Sequence, residues 1–383
     1  MNLIAPMLTL PRATAVLIVM LLAICTAPQS KAGIVITGVT ASSAVFHAGD
    51  KPISIKFRIN EPARVDLEFY DARNVRVRQI SDGKLLAAGD HTYLWDGLDE
   101  RQQPVPAGAY TYVLTATTPD GNATVHDLSD STGGETVIAD GAVYDATKKV
   151  VRYTLPFSAR MFVRAGLLEG SVLRTIANGV VREAGVVEER WDGWDESKVV
   201  SIGKHPKLQI SIEGYRLSRN TLIVSDNGKH LRNPIWVGGA DQSVKRKTSA
   251  RPSGLNMHAY HAVDSCRDVK LTLALPGELP LNAEGMPIVA GPAAFHADVA
   301  PADMAMVESQ RFEIMYFLNN QMLYENEVSY LPYTWTWTSQ GTSSGVNYMT
   351  AFIVTLGGHY GVSTVRFATG KDKAAVRGGD HGS

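Results

Sequence analysis

Met257, His258, His261 and Cys266 fall together in the stretch MHAYHAVDSC, and imidazole, thiolate and thioether are the ligands that zinc and copper accept. His296 and His359 stand far along the chain, and no second closely spaced pair completes a ligand set. A buried cysteine beside exposed histidines accounts for the same letters, so we expect no metal and no cofactor here. Carboxylates pair elsewhere: Asp96 with Asp99 in WDGLD, and Asp192 with Asp195 in WDGWD. These are hard oxygen donors of the kind calcium takes, but calcium needs about six to eight oxygens, and two per stretch fall short without help from other segments. The packing alternative is a turn, in which the aspartate side chain bonds nearby backbone amides, glycine accepts a positive φ, and Trp95 or Trp191 covers the end of a small core. A third feature is the run YLPYTWTWT. Tyr333, Trp335 and Trp337 share one face of an alternating strand and Thr334, Thr336 and Thr338 the other. Turned outward, the rings form a strip on which a sugar or a protein could stack; turned inward, they are core, and threonines on the opposite face suit solvent.

Catalytic signatures are missing from this inventory. The chain has no H-E-x-x-H, no phosphate-cradling glycine loop and no dinucleotide fingerprint. Nor does any spacing pair a nucleophile with a base. The expectation is a protein that is not an enzyme.

Charge and leader narrow the setting. With 37 basic against 38 acidic residues, no net field draws the chain to nucleic acid or to an anionic membrane. Residues 1–32 have the pattern of an export signal: Arg12, the apolar run ATAVLIVMLLAIC, then Ser30-Lys31-Ala32 as a small-x-small cleavage site. The run is shorter than the roughly 20 residues of a spanning helix, and no later stretch is continuously apolar over that length. Ile24 precedes Cys25, where lipoprotein signals carry a small residue, which argues against a lipid anchor. Once the leader is removed, Cys266 is the only cysteine, so the mature domains are expected to be held by their cores without an internal disulfide.

The elements that would position these residues are strands. Ile53, Ile55, Phe57 and Ile59 alternate with Ser54, Lys56 and Arg58, and Val65, Leu67 and Phe69 alternate with Asp66 and Glu68. Asn60-Glu61-Pro62 supplies the turn between them. The pattern then repeats. Ala63-Arg64 returns as Ala159-Arg160, Gly89 as Gly185, and Trp95-Asp96-Gly97 with Asp99 as Trp191-Asp192-Gly193 with Asp195, each pair 96 residues apart (191 − 95). Phe57 and Tyr153 keep that offset, as do Ile59 and Leu155, while setting Gly108 against Gly203 requires one deletion. A constant offset over separated landmarks marks two copies of one domain.

The stretch Gly89 to Asp99, ending in Trp-Asp-Gly-x-Asp, followed by Val105, Gly108, Tyr110 and Tyr112, resembles the immunoglobulin-like domain of the flagellar hook-capping (FlgD) family. The second copy keeps Gly185 and Trp191-Asp192-Gly193-Trp194-Asp195 but has Gly203-Lys204-His205 where Gly-x-Tyr is expected, so it is a degenerate copy. The resemblance covers roughly residues 45 to 220. It implies an immunoglobulin-like sandwich and a part in assembly or scaffolding. Hook caps leave the cell without a cleaved signal, so the general export signal implies a protein that borrows the domain.

Beyond Val269, the alternation in Arg311 to Phe317, a turn at Asn319-Asn320, the LPYTWTWT run and a turn at Gly357-Gly358 predict a third sandwich. The organisation expected is all-β: signal peptide 1–32, domains at 33–120 and 121–225, a Gly/Ser-rich basic linker at 226–256 that includes Lys245-Arg246-Lys247, a third domain at 257–370, and a disordered tail at 371–383. Three tandem immunoglobulin-like domains in the periplasm or outside the cell would present exposed edges and loops to other envelope or surface proteins. No nucleic acid and no membrane span of the mature chain enter this expectation. The runner-up functions are a carbohydrate- or surface-binding module using Tyr333, Trp335 and Trp337, and a periplasmic metal-binding accessory protein using His258, His261 and Cys266.

Overall fold

A computed structural model describes residues 33–225 and 268–369, apart from residues 73, 130, 133, 328–329 and 339–343. Residues 1–32, 226–267 with His258, His261 and Cys266, and 370–383 therefore lie outside the described residues. Among the described residues, no helix is long and apolar enough to cross a membrane.

Alternation becomes burial in the first strands. In β3 (Ile53–Ile59) the four apolar side chains are buried while Lys56 and Arg58 stay in solvent. In β4 (Arg64–Tyr70) Val65, Leu67 and Phe69 are buried in the same core. One sheet joins β1 (Ile36–Ala41), β3 and β6 (Gly89–Trp95) in the order β1-β3-β6. The facing sheet is built on β4, β5 (Arg76–Ile80), β7 (Gly108–Thr117) and the short β2 (Val45–His47), with β8 (Ala123–His126) folded back on β7.

That facing sheet is completed from far away in the chain. The second sandwich comprises β9 (Thr136–Ile138), β10 (Asp140–Asp145), β11 (Val150–Leu155), β12 (Ala159–Leu167), β13 (Val172–Arg182), β14 (Gly185–Arg190) and β15 (Leu208–Arg216). Its sheets run β10-β11-β14 and β13-β12-β15-β9. The next strand, β16 (Thr221–Ser225), returns to the first sandwich, where it pairs antiparallel with β7 and parallel with β2. Leu222 and Val224 enter the first core. Two strands within the span 121–225, β8 and β16, thus belong to the first sandwich. One edge of β7 is filled in two pieces: β16 covers Gly108 to Thr111, and β8 covers Leu114 to Thr117. The corresponding edge of β15 is filled by β9, the first strand of its own module. The physical reason is local. An unpaired stretch of β7 would leave buried backbone groups without partners, and a five-residue apolar strand supplies both the hydrogen bonds and the side chains.

The third sandwich gives the reference order. It contains β17 (Leu271–Ala274), β18 (Ile288–Val289), β19 (Ala293–Val299), the helix α1 (Pro301–Glu308), β20 (Phe312–Leu318), β21 (Gln321–Asn326), β22 (Tyr333–Trp337), β23 (Gly345–Thr355) and β24 (Tyr360–Thr369). Its sheets, β17-β19-β22 and β18-β24-β23-β20-β21, reproduce the first sandwich strand for strand, including the parallel pairing of a short second strand with the last one. In the third module every strand comes from its own segment; in the first, the last strand arrives only after a whole second module. All three are two-layer immunoglobulin-like β-sandwiches, each around its own core.

The second and third modules also touch. Phe317, Phe352 and Val362 form a small apolar cluster with Val172 of β13 against it. The Arg164 guanidinium of β12 lies 4.4 Å from the Tyr360 ring centroid. Asn178 Nδ2 donates to Asp268 Oδ1 at 2.8 Å, and the Thr364 N–H donates to Ser197 Oγ at 2.8 Å.

Candidate functional site

The Trp-Asp-Gly stretches are the most strongly specified local structures. Trp95 ends β6 fully buried, stacks on Phe69 with centroids 4.0 Å apart, and meets Phe46 and Tyr110 edge-on. Its Nε1–H donates to the Leu98 carbonyl at 3.0 Å; in the second copy Trp191 donates to the Trp194 carbonyl at 2.9 Å. Each indole is thus an apolar lid whose polar edge is satisfied by the turn it covers.

The carboxylates are taken up by backbone amides. Asp96 Oδ1 accepts from the Leu98 N–H at 3.0 Å, and Asp192 Oδ1 from the Trp194 N–H at 3.1 Å. Asp99 Oδ1 accepts from Arg101 and Gln103, both at 2.8 Å. Asp195 Oδ1 accepts from Val199 at 2.7 Å and Val200 at 2.9 Å. Asp192 also pairs with Lys198. Its carboxyl lies below the ordinary aspartate range: burial works against ionisation, and the Lys198 ammonium and the Trp194 amide outweigh it.

Glycine is required at the centre of both turns. Gly97 and Gly193 sit at φ +78° and +84°. A Cβ on Gly97 would come 2.8 Å from the Ala48 Cα, and one on Gly193 would come 2.8 Å from the Tyr144 hydroxyl. Ala48 and Tyr144 are themselves 96 residues apart (144 − 48), so the repeat extends into the strand that covers the turn. Past the turn the register changes. Val105 N–H bonds the Gly97 carbonyl, and Ile202 N–H bonds the Gly193 carbonyl, an offset of 97 (202 − 105). The second copy therefore carries one extra residue in this loop, not a deletion, and Gly203 is not the counterpart of Gly108. It lies against Gly193 and Tyr144, where an added Cβ would meet the Gly193 Cα at 2.7 Å. In the first copy the Tyr110 hydroxyl closes the loop on the Pro106 carbonyl at 2.7 Å, and burial raises its pKa.

A third loop of this kind was not visible from the Trp-Asp-Gly marker. Between β17 and β18, Asn282 Oδ1 accepts from the Glu284 N–H at 3.0 Å and the Met286 N–H at 2.9 Å, and Ile288 N–H closes on the Pro280 carbonyl at 2.7 Å. The bridges Leu98 to Pro104, Trp194 to Ser201 and Leu281 to Pro287 correspond, as do the positive φ values at Gln102, Lys198 and Gly285. The signal was present as PVPAG at 104–108 against PIVAG at 287–291, masked by asparagine in place of aspartate and by the missing tryptophan.

The aromatic run faces the core. Tyr333 and Trp337 are buried and Trp335 is half-buried. Trp335 is stacked by Tyr324 at 5.2 Å and approached by Tyr316 at 5.0 Å, and the Tyr324 and Tyr333 hydroxyls are 2.6 Å apart. The rings close the gap between the edge strands β21 and β22, so they form no flat platform in solvent. His296 Nδ1 meets Thr334 Oγ1 at 2.9 Å on the outer face, while His359 is buried in the turn between β23 and β24.

Solved structures align with most of the chain at low identity. The fibronectin(III)-like modules of Clostridium thermocellum CbhA align over 90% of this chain and 100% of theirs, with 10% identity and a TM-score of 0.20. A tetra-tandem repeat from the extending region of a large adhesion protein aligns over 88% of this chain and 74% of its own, with 13% identity and a TM-score of 0.19. No curated protein matches the chain. The family model of the FlgD Ig-like domain matches residues 41–120, which run from the end of β1 to the turn after β7 and contain the whole first Trp-Asp-Gly loop.

Proposed function

We propose that this chain is a non-enzymatic, exported cell-envelope protein, a structural or adaptor component whose immunoglobulin-like domains present surfaces for assembly with other envelope or surface proteins. The observation that carries the proposal is the double crossing between the first two modules. The chain passes from β8 to β9 and returns from β15 to β16, so two covalent connections join these modules. A single flexible linker leaves neighbouring domains free to move; two crossings, both between the β7 sheet and the β15 sheet, restrict their spacing. Stiff spacing is what a scaffold needs, and an edge strand such as β21 would supply backbone donors and acceptors for a partner strand.

The residues that could have carried chemistry are engaged in packing instead. The aspartates of the three loops, or the asparagine in the third, cap backbone amides, and the tryptophans cover cores. The inward set of Tyr333 and Trp337 weighs against a carbohydrate platform there. Residues His258, His261 and Cys266 lie outside the described residues and support neither reading.

The test is affinity purification of a tagged full chain from its native host after mild cross-linking, with mass spectrometry of the captured proteins. The proposal expects a reproducible set of envelope or surface proteins. Retention on cell-wall or capsular polysaccharide with no protein partner would contradict it.

A further inference from the structure

Of the chain's asparagines, only Asn122 is followed two residues later by serine or threonine, in the stretch Asp120-Gly121-Asn122-Ala123-Thr124. Asn-x-Thr is the sequence on which oligosaccharide is transferred to the asparagine amide in exported proteins, and its use requires a surface loop. The structure meets that requirement. Residues 119–123 are all exposed and form the tip of the β7–β8 hairpin. The turn is closed by backbone bonds, Gly121 N–H to the Thr118 carbonyl at 2.9 Å and Thr118 N–H to the Asn122 carbonyl at 2.8 Å, with Gly121 at φ +89°. The Asn122 side chain takes no part in that closure: its Nδ2 donates at 2.9 Å to the exposed Asp120. By contrast, Asn220 and Asn347 are buried. The β8 strand pairs with β7 alone and is four residues long.

We infer that Asn122 is an acceptor site for N-linked oligosaccharide, taken from a polyprenyl-diphosphate-linked donor. In the transfer, Asn122 Nδ2 forms a bond to the anomeric carbon of the first sugar, the bond from that carbon to the diphosphate oxygen breaks, and the polyprenyl diphosphate leaves. One amide proton passes to a base on the transferring enzyme. No oxidation state changes. The Thr124 hydroxyl is the group that distinguishes this asparagine from its neighbours. This inference rests on the export reading above.

The experiment is intact-mass spectrometry of the full chain from its native host, with Asn122→Gln, Thr124→Ala and Thr124→Ser variants. A single measurement reads leader removal and glycan addition together. The expected result is a chain lacking residues 1–32 that is heavier by a discrete oligosaccharide mass, with the increment lost in N122Q and T124A and kept in T124S. A leader-cleaved chain without the increment overturns the inference and leaves export standing. A full-length, unmodified chain overturns both, and an increment that survives N122Q overturns the site. Equal urea midpoints for N122Q and the native sequence ensure that loss of the increment is not loss of fold.

Discussion

Asn220 and Tyr112, 108 residues apart, hold each other by two hydrogen bonds: Asn220 Nδ2 donates to the Tyr112 carbonyl at 2.8 Å, and the Tyr112 N–H donates to the Asn220 carbonyl at 3.1 Å. Asn220 is fully buried and stands where the chain leaves the second sandwich to become the last strand of the first. The pair therefore clamps one of the two crossings between modules.

Asn220→Ala removes a buried donor and leaves the Tyr112 carbonyl short of a partner, a loss of about 1–3 kcal/mol. Urea unfolding should register it as a lowered midpoint of the first sandwich, whose last strand begins just after Asn220. A loss confined to the second sandwich would count against that placement.

Gly97→Ala combines an unfavourable positive φ with a contact 2.8 Å from the Ala48 backbone. Gly121→Ala has a similar φ, +89°, with open space around it. The second change should cost about 1–2 kcal/mol from backbone conformation alone, and the first clearly more, since neighbouring backbone must also move. Equal melting shifts for the two variants would mean that close approach is not what fixes glycine in this turn.

Asn282 performs in the third loop the task that Asp99 performs in the first. Asp99→Asn keeps the accepting oxygen and should shift the melting temperature little, whereas Asp99→Ala strands the Arg101 and Gln103 amides at about 1–3 kcal/mol. Addition of calcium or of a chelator should leave the native melting temperature in place. A calcium-dependent rise that disappears in D99N would instead identify the aspartates as ligands.

Asp268 lies at the contact between the second and third modules with its carboxyl raised to about 6, by desolvation first and by Glu196 second, against Arg164 and the Thr175 and Asn178 hydrogen bonds. Because the folded value is above the unfolded one, the stabilisation is complete below about pH 4 and is lost as pH rises through 6. The residue keeps part of its surface in solvent, so the effect is modest. Denaturant midpoints at pH 5 and 7 should show Asp268→Asn gaining on the native sequence at pH 7 and matching it more closely at pH 5. A D268N chain less stable at pH 7 would refute the burial argument.

Local order was legible where one face of a strand had to be buried. Ile53 to Ile59 declares its period in the residues themselves, and Trp95-Asp96-Gly97 declares its turn because glycine and aspartate have few other reasons to stand beside a strand-ending tryptophan. Strand partners were not legible. Thr221 to Ser225 is a short apolar run that would fit any open edge, and its place beside β7 depends on a backbone vacancy created by residues more than a hundred positions away. β9 is placed in the same way by β15, 75 positions further on at Ile138 and Glu213 (213 − 138). The third loop was hidden because asparagine replaces aspartate, and because it sits between the first two strands of its module instead of after the sixth.

In the proposed function the two chain crossings hold the first two modules as one stiff body. Nitroxide labels on Lys56→Cys and Thr154→Cys, exposed positions on the central strands β3 and β11, would report it in a chain whose Cys266 is replaced by serine. Electron–electron double resonance should give a single narrow distance distribution. A broad distribution in the folded chain would contradict the account, because it would mean that the modules swing about their crossings as separately linked domains do.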